Sequence, residues 1–200
     1  MEPKKEFIEL LQSTKRDDVD YLIEDLEDLG FFKAPASTRF HLNEEGGLVV
    51  HSLNVCKIAL KLRESMLELD DTLREQLPVD SVIVASLLHD VCKADIYKAI
   101  TKKQKDAFGR WVDEPGYTVD YSKLPVGHGE KSVIVLLRTG FDLTDDEILA
   151  IRWHMSSWDL AFQSAEAKSN IDVAKKICPL LSLVQAADNL ASNLLERSVE

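Results

Sequence analysis

The segment Ser81–Leu88, "SVIVASLL", is apolar around nearly its whole circumference, with only two serines among Val82, Ile83, Val84, Ala85, Leu87 and Leu88. A helix with no polar face has nothing to offer water and belongs in the middle of a core. The next residues are His89 and Asp90, and Lys93 follows one turn later. A buried helix that ends in three ionisable groups must find partners for them, because an unpaired buried charge is strongly unfavourable.

The rest of the chain is written mostly in the same helical period. Residues 5–29 read as one or two helices with an acidic face, "IEDLEDLG", stopped at Gly30. "FFKAPASTRFHLNEEGG" reads as a loop. Gly47–Leu69 is predicted to be a helix with Leu48, Val55, Ile58, Leu62 and Met66 on one inward stripe, and His51 on that stripe. Asp80 is expected to cap a helix running from Ser81 to about Ala94. Between about Asp95 and Gly127 the pattern changes. "GRWVDEPGYTVDYS" places aromatic and β-branched residues around Pro115–Gly116, which predicts a β-hairpin turning there. A further helix is expected from His128 to Gly140. Thr144 and Glu147 have capping-box spacing for another, ending near His154. The last helix is expected over 171–196, with Leu181, Val184, Asp188, Ala191 and Leu195 on one stripe. The expected fold is all-α, one domain of 200 residues with a small β-hairpin insertion around residues 105–122. An N-terminal helical extension would cover 1–36 and the core 37–195.

Composition excludes several classes. No apolar run approaches the roughly 18 residues of a membrane span, and "MEPKKEFIEL" has no signal-peptide core. Cys56, Cys92 and Cys178 are odd in number, scattered and without a Cys-x-x-Cys pair. That argues against disulfides and thiolate zinc sites and points to the cytoplasm. With 24 basic and 35 acidic residues the net charge is −11. This balance argues against a nucleic-acid partner and favours a small anion held locally by a few cations or a metal.

Helical periodicity points His51, His89, Asp90, His128, His154 and Asp188 inward or to helix ends. Any one histidine among them could be a core imidazole bonded to a backbone carbonyl. Six such groups on five helices must meet one another or a cation. Imidazole and carboxylate together suit Fe, Mn, Zn, Ni or Co, whereas Mg and Ca prefer oxygen shells. His89 and Asp90 are adjacent and would point about 100° apart on a helix, so a shared metal must lie beyond one side of it. Asp90, with two oxygens, could bridge two metals.

The ordered set His51, His89–Asp90 and Asp188 resembles the signature of the HD-domain metal-dependent phosphohydrolases. "EGGLVVHSLNV" resembles that family's first-histidine helix, "LLHDVCK" its HD-x-x-K element and "QAADNLAS" its closing aspartate helix. "GHGEKS" and "RWHMSSW" resemble the extra histidines of its two-metal members. The similarity covers about residues 37–195, which also resembles the HD part of bacterial 3′–5′ exoribonucleases and stand-alone HD hydrolases of bacterial and prophage genomes. It implies an HD-domain helical bundle in which His51, His89, Asp90 and Asp188 hold a first divalent metal. Asp90 would bridge to a second, with His128 and His154 as its other ligands and Mg admissible there. The family often has a His-His pair before this last ligand. Here Trp153 stands in that place, so one metal or two remain open.

The implied reaction is hydrolysis of a phosphate ester of a nucleotide or other small phosphorylated molecule by a metal-activated water. Asp90 would take part through the metals and Lys93 through the phosphate. Arg39, His41 and Lys131 are further candidates to bind substrate. Arg39 has the guanidinium fork suited to oxyanions, and Lys131 stands near a helix start. Solvated or structural roles compete for each. Trp111, Trp153 and Trp158 could stack on a base or simply pack. Two other functions stay open at this level: a non-catalytic nucleotide-sensing module and a nuclease acting on nucleic-acid ends. The region 95–126 is a candidate lid or homo-oligomer contact.

Overall fold

The computed structural model describes residues 2–156 and 164–196. The elements in chain order are α1 (Pro3–Ser13), α2 (Val19–Leu29), α3 (Gly47–Leu69), α4 (Val79–Leu88), α5 (Lys93–Ile96), β1 (Tyr97–Lys105), β2 (Trp111–Val119), α6 (His128–Arg138), α7 (Asp145–Trp153), α8 (Ala165–Ile177) and α9 (Pro179–Leu190). A π-helical turn, Ala191–Leu195, follows α9. Among the described residues, the helical architecture with one small hairpin is that expected. Among the described residues no helix is long and apolar enough to cross a membrane.

Helix α4 is the axis of the bundle. Every residue from Ser81 to Leu88 is buried, and α1, α3, α7 and α9 all pack against it. A helix without a polar face is thus enclosed on all sides. The N-terminal helices share this core: Phe7 and Leu11 are fully buried, and Phe7 meets Phe31 and Phe32 with ring centroids 5.1 and 5.5 Å apart. Arg16, after α1, reaches the buried Glu147 of α7 and lies 3.3 Å from Asp80. That contact corrects the expected role of Asp80. It sits in the first turn of α4, Pro78 occupies the cap, and the carboxylate pairs with Arg16.

Three boundaries differ from expectation. Helix α4 ends at Leu88, and His89–Cys92 form tight turns before the short α5. The last helix is broken at Cys178–Pro179 into α8 and α9, because proline cannot donate within a helix and starts one instead. The hairpin begins at Tyr97 and turns at Asp106–Arg110. There Asp106 accepts hydrogen bonds from the Phe108 and Arg110 amides at 2.8 and 3.0 Å, and Gly109 adopts φ +76°. Pro115 lies within β2 opposite Thr101. A two-stranded ribbon has only edge strands, where a missing N–H does no harm. On α3 the inward stripe includes His51, Val55 and Ala59, whereas Met66 is 37% exposed.

Two glycines permit the close approaches that build the site. A Cβ at Gly47 would collide with the Leu42 carbonyl, so the loop 36–42 can close directly on the start of α3. A Cβ at Gly129 would collide with the Arg152 carbonyl, so the start of α6 can rest on the end of α7.

Candidate metal centre

Five segments deliver the six inward ligand candidates to one place. His51 lies one turn into α3, and His89 and Asp90 follow the end of α4. His128 opens α6, His154 follows α7, and Asp188 lies near the end of α9. All five histidines of the chain form a continuous series of rings. His41–His51, His51–His89, His89–His154 and His154–His128 have centroids 5.3, 5.2, 4.8 and 5.6 Å apart.

Asp90 stands at the centre. Its Oδ2 lies 3.4 Å from His51 Nε2, 3.2 Å from His89 Nε2 and 2.6 Å from Lys93 Nζ. Its Oδ1 contacts His128 Nε2 and lies 3.4 Å from His154 Nε2. Asp188 Oδ1 is 3.4 Å from His51 Nε2. The two oxygens of one carboxylate therefore face two different pairs of histidines. The turns after α4 allow adjacent His89 and Asp90 to converge, which a continued helix would have opposed.

The outer nitrogens are pinned. His89 Nδ1 donates to the Ser86 carbonyl at 2.9 Å, and His154 Nδ1 donates to the Ile151 carbonyl at 2.7 Å. His51 Nδ1 donates to Glu196 Oε2 at 2.9 Å. A histidine whose Nδ1–H is engaged outward turns the Nε2 lone pair inward, as a metal ligand must. His154 Nε2 is buried and makes no hydrogen bond. Groups His51–His89–Asp90, Asp90–His128–His154 and His89–His154–Asp188 each place three donor atoms within 4.8 Å of one another. An orphaned buried nitrogen among mixed imidazole and carboxylate donors fits a divalent transition metal.

The electrostatics describe the same site without a cation. Burial opposes the charged form of His51, but hydrogen bonds to Asp188, Asp90 and Glu196 outweigh it and push the ring up to about 10. His128 is likewise opposed by burial and pushed up to about 10 by Cys92 and Asp90. His154 goes the other way, lowered chiefly by burial. Asp90 resists burial because Lys93, His89 and His128 hold it well below the usual carboxylate range. Burial would discharge Lys93, yet Asp90 keeps it protonated. Positive charge on His51, His128 and Lys93 thus surrounds Asp90 where a cation would sit.

The remaining candidates part company. Lys93 reaches the cluster through Asp90. His41 is half-buried beside His51, its Nε2 3.8 Å from Glu196 Oε2, and its pKa is lowered by burial and by the Lys93 charge. Arg39 is exposed on the same loop. Lys131 is buried, and its ammonium binds Asp95 and the Lys123 carbonyl, each at 2.6 Å, rather than the cluster. Its nearness to a helix start does not bring it to the other candidates in this structure. Trp153 is buried with the Arg152 guanidinium 4.0 Å over its ring. Trp111 is exposed on β2 beneath Lys105. Trp158 lies outside the described residues. Sequence reading missed Glu196, which binds His51, Asn54, which donates to Glu196 at 2.9 Å, and Cys92, whose sulfur lies 3.5 Å from His128 Nδ1. Only Asn54, three residues after His51, had a usable helical spacing.

A family model, the HD domain, matches residues 48–193. The chain belongs to the HD-domain superfamily of metal-dependent phosphohydrolases. Over 155 residues it is 29% identical to a dihydroneopterin 2′,3′-cyclic phosphate phosphodiesterase from Methanocaldococcus jannaschii, a match covering 73% of this chain and 56% of that protein. The match thus spans little more than half of the relative's length. No solved structure matches.

Proposed function

We propose that this HD-domain chain hydrolyses a phosphodiester of a small, nucleotide-like molecule, with a five-membered cyclic phosphate as the first candidate substrate. The observation that carries the reading is Asp90, one carboxylate facing His51 and His89 with one oxygen and His128 and His154 with the other. The cyclic phosphate comes from the archaeal relative's substrate. The chain's acidity favours a small substrate over a nucleic acid.

His51, His89, Asp90 and Asp188 hold a first divalent ion in this reading, and Asp90, His128 and His154 a second. Mixed nitrogen and oxygen donors favour Mn, Fe, Co, Ni or Zn. Bound metals would supply an activated water and offset charge on the phosphoryl group. Lys93, kept protonated by Asp90, steadies a non-bridging phosphate oxygen. Arg39 and His41 close over the substrate from the loop before α3. The water's oxygen ends on phosphorus and a proton on the departing ester oxygen, so no other reactant is needed. The β1–β2 ribbon serves as a lid, since Lys102 Nζ reaches the Thr38 carbonyl on that same loop at 3.3 Å. Three free, buried cysteines support a reducing compartment such as the cytoplasm.

The test is a panel of 2′,3′-cyclic nucleotides, bis-p-nitrophenyl phosphate and phosphomonoesters. It is run on chelator-stripped protein reloaded with each divalent metal. Diester turnover that depends on metal and vanishes in His89→Ala is expected. Equal rates for the wild type and His89→Ala on every ester would reject the proposal.

A further inference from the structure

His51 differs from its two pinned neighbours in what holds its outer nitrogen. His89 and His154 donate to carbonyls three residues earlier in their own turns, a partner that local backbone supplies in almost any sequence. His51 donates to a carboxylate 145 positions away, Glu196. Glu196 is buried, and its other oxygen accepts from Asn54 Nδ2 at 2.9 Å. His41 Nε2 approaches the same Oε2 atom that His51 uses.

The chain reaches this arrangement by an unusual turn. Asp188 and Glu196 are eight residues apart, which a continuous α-helix would spread over roughly 12 Å along its axis. Here the α-helical repeat gives way to the π-helical turn Ala191–Leu195, closed by the Glu196 amide on the Ala191 carbonyl at 3.1 Å. His51 then lies between the two, with Asp188 on Nε2 at 3.4 Å and Glu196 on Nδ1 at 2.9 Å. Single π-turns of this kind recur at functional sites.

We propose that Glu196 is a positioning residue of the metal centre: its carboxylate holds the Nδ1–H of His51 so that Nε2 faces the cation, which makes the turn Ala191–Glu196 part of the site. The inference rests on the metal-centre reading above. A carboxylate partner forms a stronger, charge-assisted hydrogen bond than a carbonyl and makes the imidazole a better donor. The loop of Arg39 and His41 lies close by, with His41 Nε2 3.8 Å from the same carboxylate oxygen and making no hydrogen bond. Metal affinity therefore depends on a group contributed by the last described turn of the chain.

Zinc titration of stripped full-length protein, by calorimetry against a competing chelator, tests this. Glu196→Ala is expected to bind zinc about 10–100-fold more weakly than wild type. Glu196→Gln, which keeps an acceptor without the charge, should lose less, and Glu196→Asp should not fully restore the contact because its reach is shorter. Long-range nitrogen–proton spectra of zinc-loaded, 15N-labelled protein give a readout that a purely structural role would not move. The wild type should show His51 protonated at Nδ1 in slow exchange, and Glu196→Ala should lose that signal while His89 and His154 keep theirs. If Glu196→Ala does not fold, Glu196→Gln carries the test, with weakening of at least about threefold expected. Zinc affinity within twofold of wild type in the folded variant, or an unchanged His51 signal, overturns the proposal alone. A wild type that binds no zinc overturns it together with the metal centre.

Discussion

The ammonium of Lys93 lies 2.6 Å from Oδ2 of Asp90, the same oxygen that faces His51 and His89. Both groups are buried, so this pair carries the charge balance of the site when no cation is present. A cation bound to that oxygen would compete with the lysine. Lys93→Met should accordingly bind divalent metal several-fold more tightly, because a like charge is removed. Its kcat/KM on a phosphodiester should fall about 10²–10³-fold, the usual cost of losing an oxyanion partner. Calorimetry and steady-state kinetics on one preparation check both signs. A variant with full activity would show that Lys93 does not touch the phosphate.

The histidines set a pH dependence whose sign can be worked out. His51 and His128 are pushed up to about 10 in the folded, metal-free chain, against about 6.5 when unfolded. Their protonation stabilises the fold fully below pH 6.5, and that contribution is lost as pH rises towards 10. A cation needs both rings neutral, so its stabilising effect should grow over the same window. Thermal melts between pH 6 and 9, with chelator and with manganese, should diverge as pH rises. Parallel curves would contradict the assignment of these rings as ligands.

Gly129 offers a test of the second site alone. A Cβ there meets the Arg152 backbone, which cannot swing aside as a flexible side chain would. Gly129→Ala should push the start of α6 off the end of α7, at a cost of about 1–3 kcal/mol, and separate His128 from His154. Metal counted by elemental analysis should drop by one per chain while His51, His89 and Asp188 keep theirs. Unchanged metal content with unchanged stability would show that the two helices tolerate the shift.

Lys131 is expected to behave as a structural residue. Lys131→Met leaves Asp95 without its partner and should lower stability by about 1–3 kcal/mol, with KM unchanged. Adding Asp95→Asn should recover much of the loss. A raised KM at wild-type stability would return Lys131 to the substrate site.

The centre of the bundle was legible in the sequence. An apolar helix with no polar face had one place to go, and the structure encloses α4 on every side. Four histidines and two aspartates at helical spacing required a common partner, and the chain's HD-domain match spans all six. Periodicity reads one element at a time, so it missed what depends on two. It continued α4 through His89 because nothing local marks the turns that let His89 and Asp90 converge. It placed the hairpin turn at Pro115–Gly116 because it could not see that Asp106 would cap a turn nearer the middle of the ribbon.

The sequence alone determined which residue types are buried and therefore which charges need compensation, since burial follows from apolar spacing along single helices. Only the tertiary structure decided who compensates whom. It gave Lys131 to Asp95, Asp80 to Arg16 and Glu196 to His51, pairs separated by 36, 64 and 145 positions. Ion pairs and hydrogen bonds act over a few ångströms, and such distances between remote segments are set by how helices pack, as where Gly47 and Gly129 let two backbones touch.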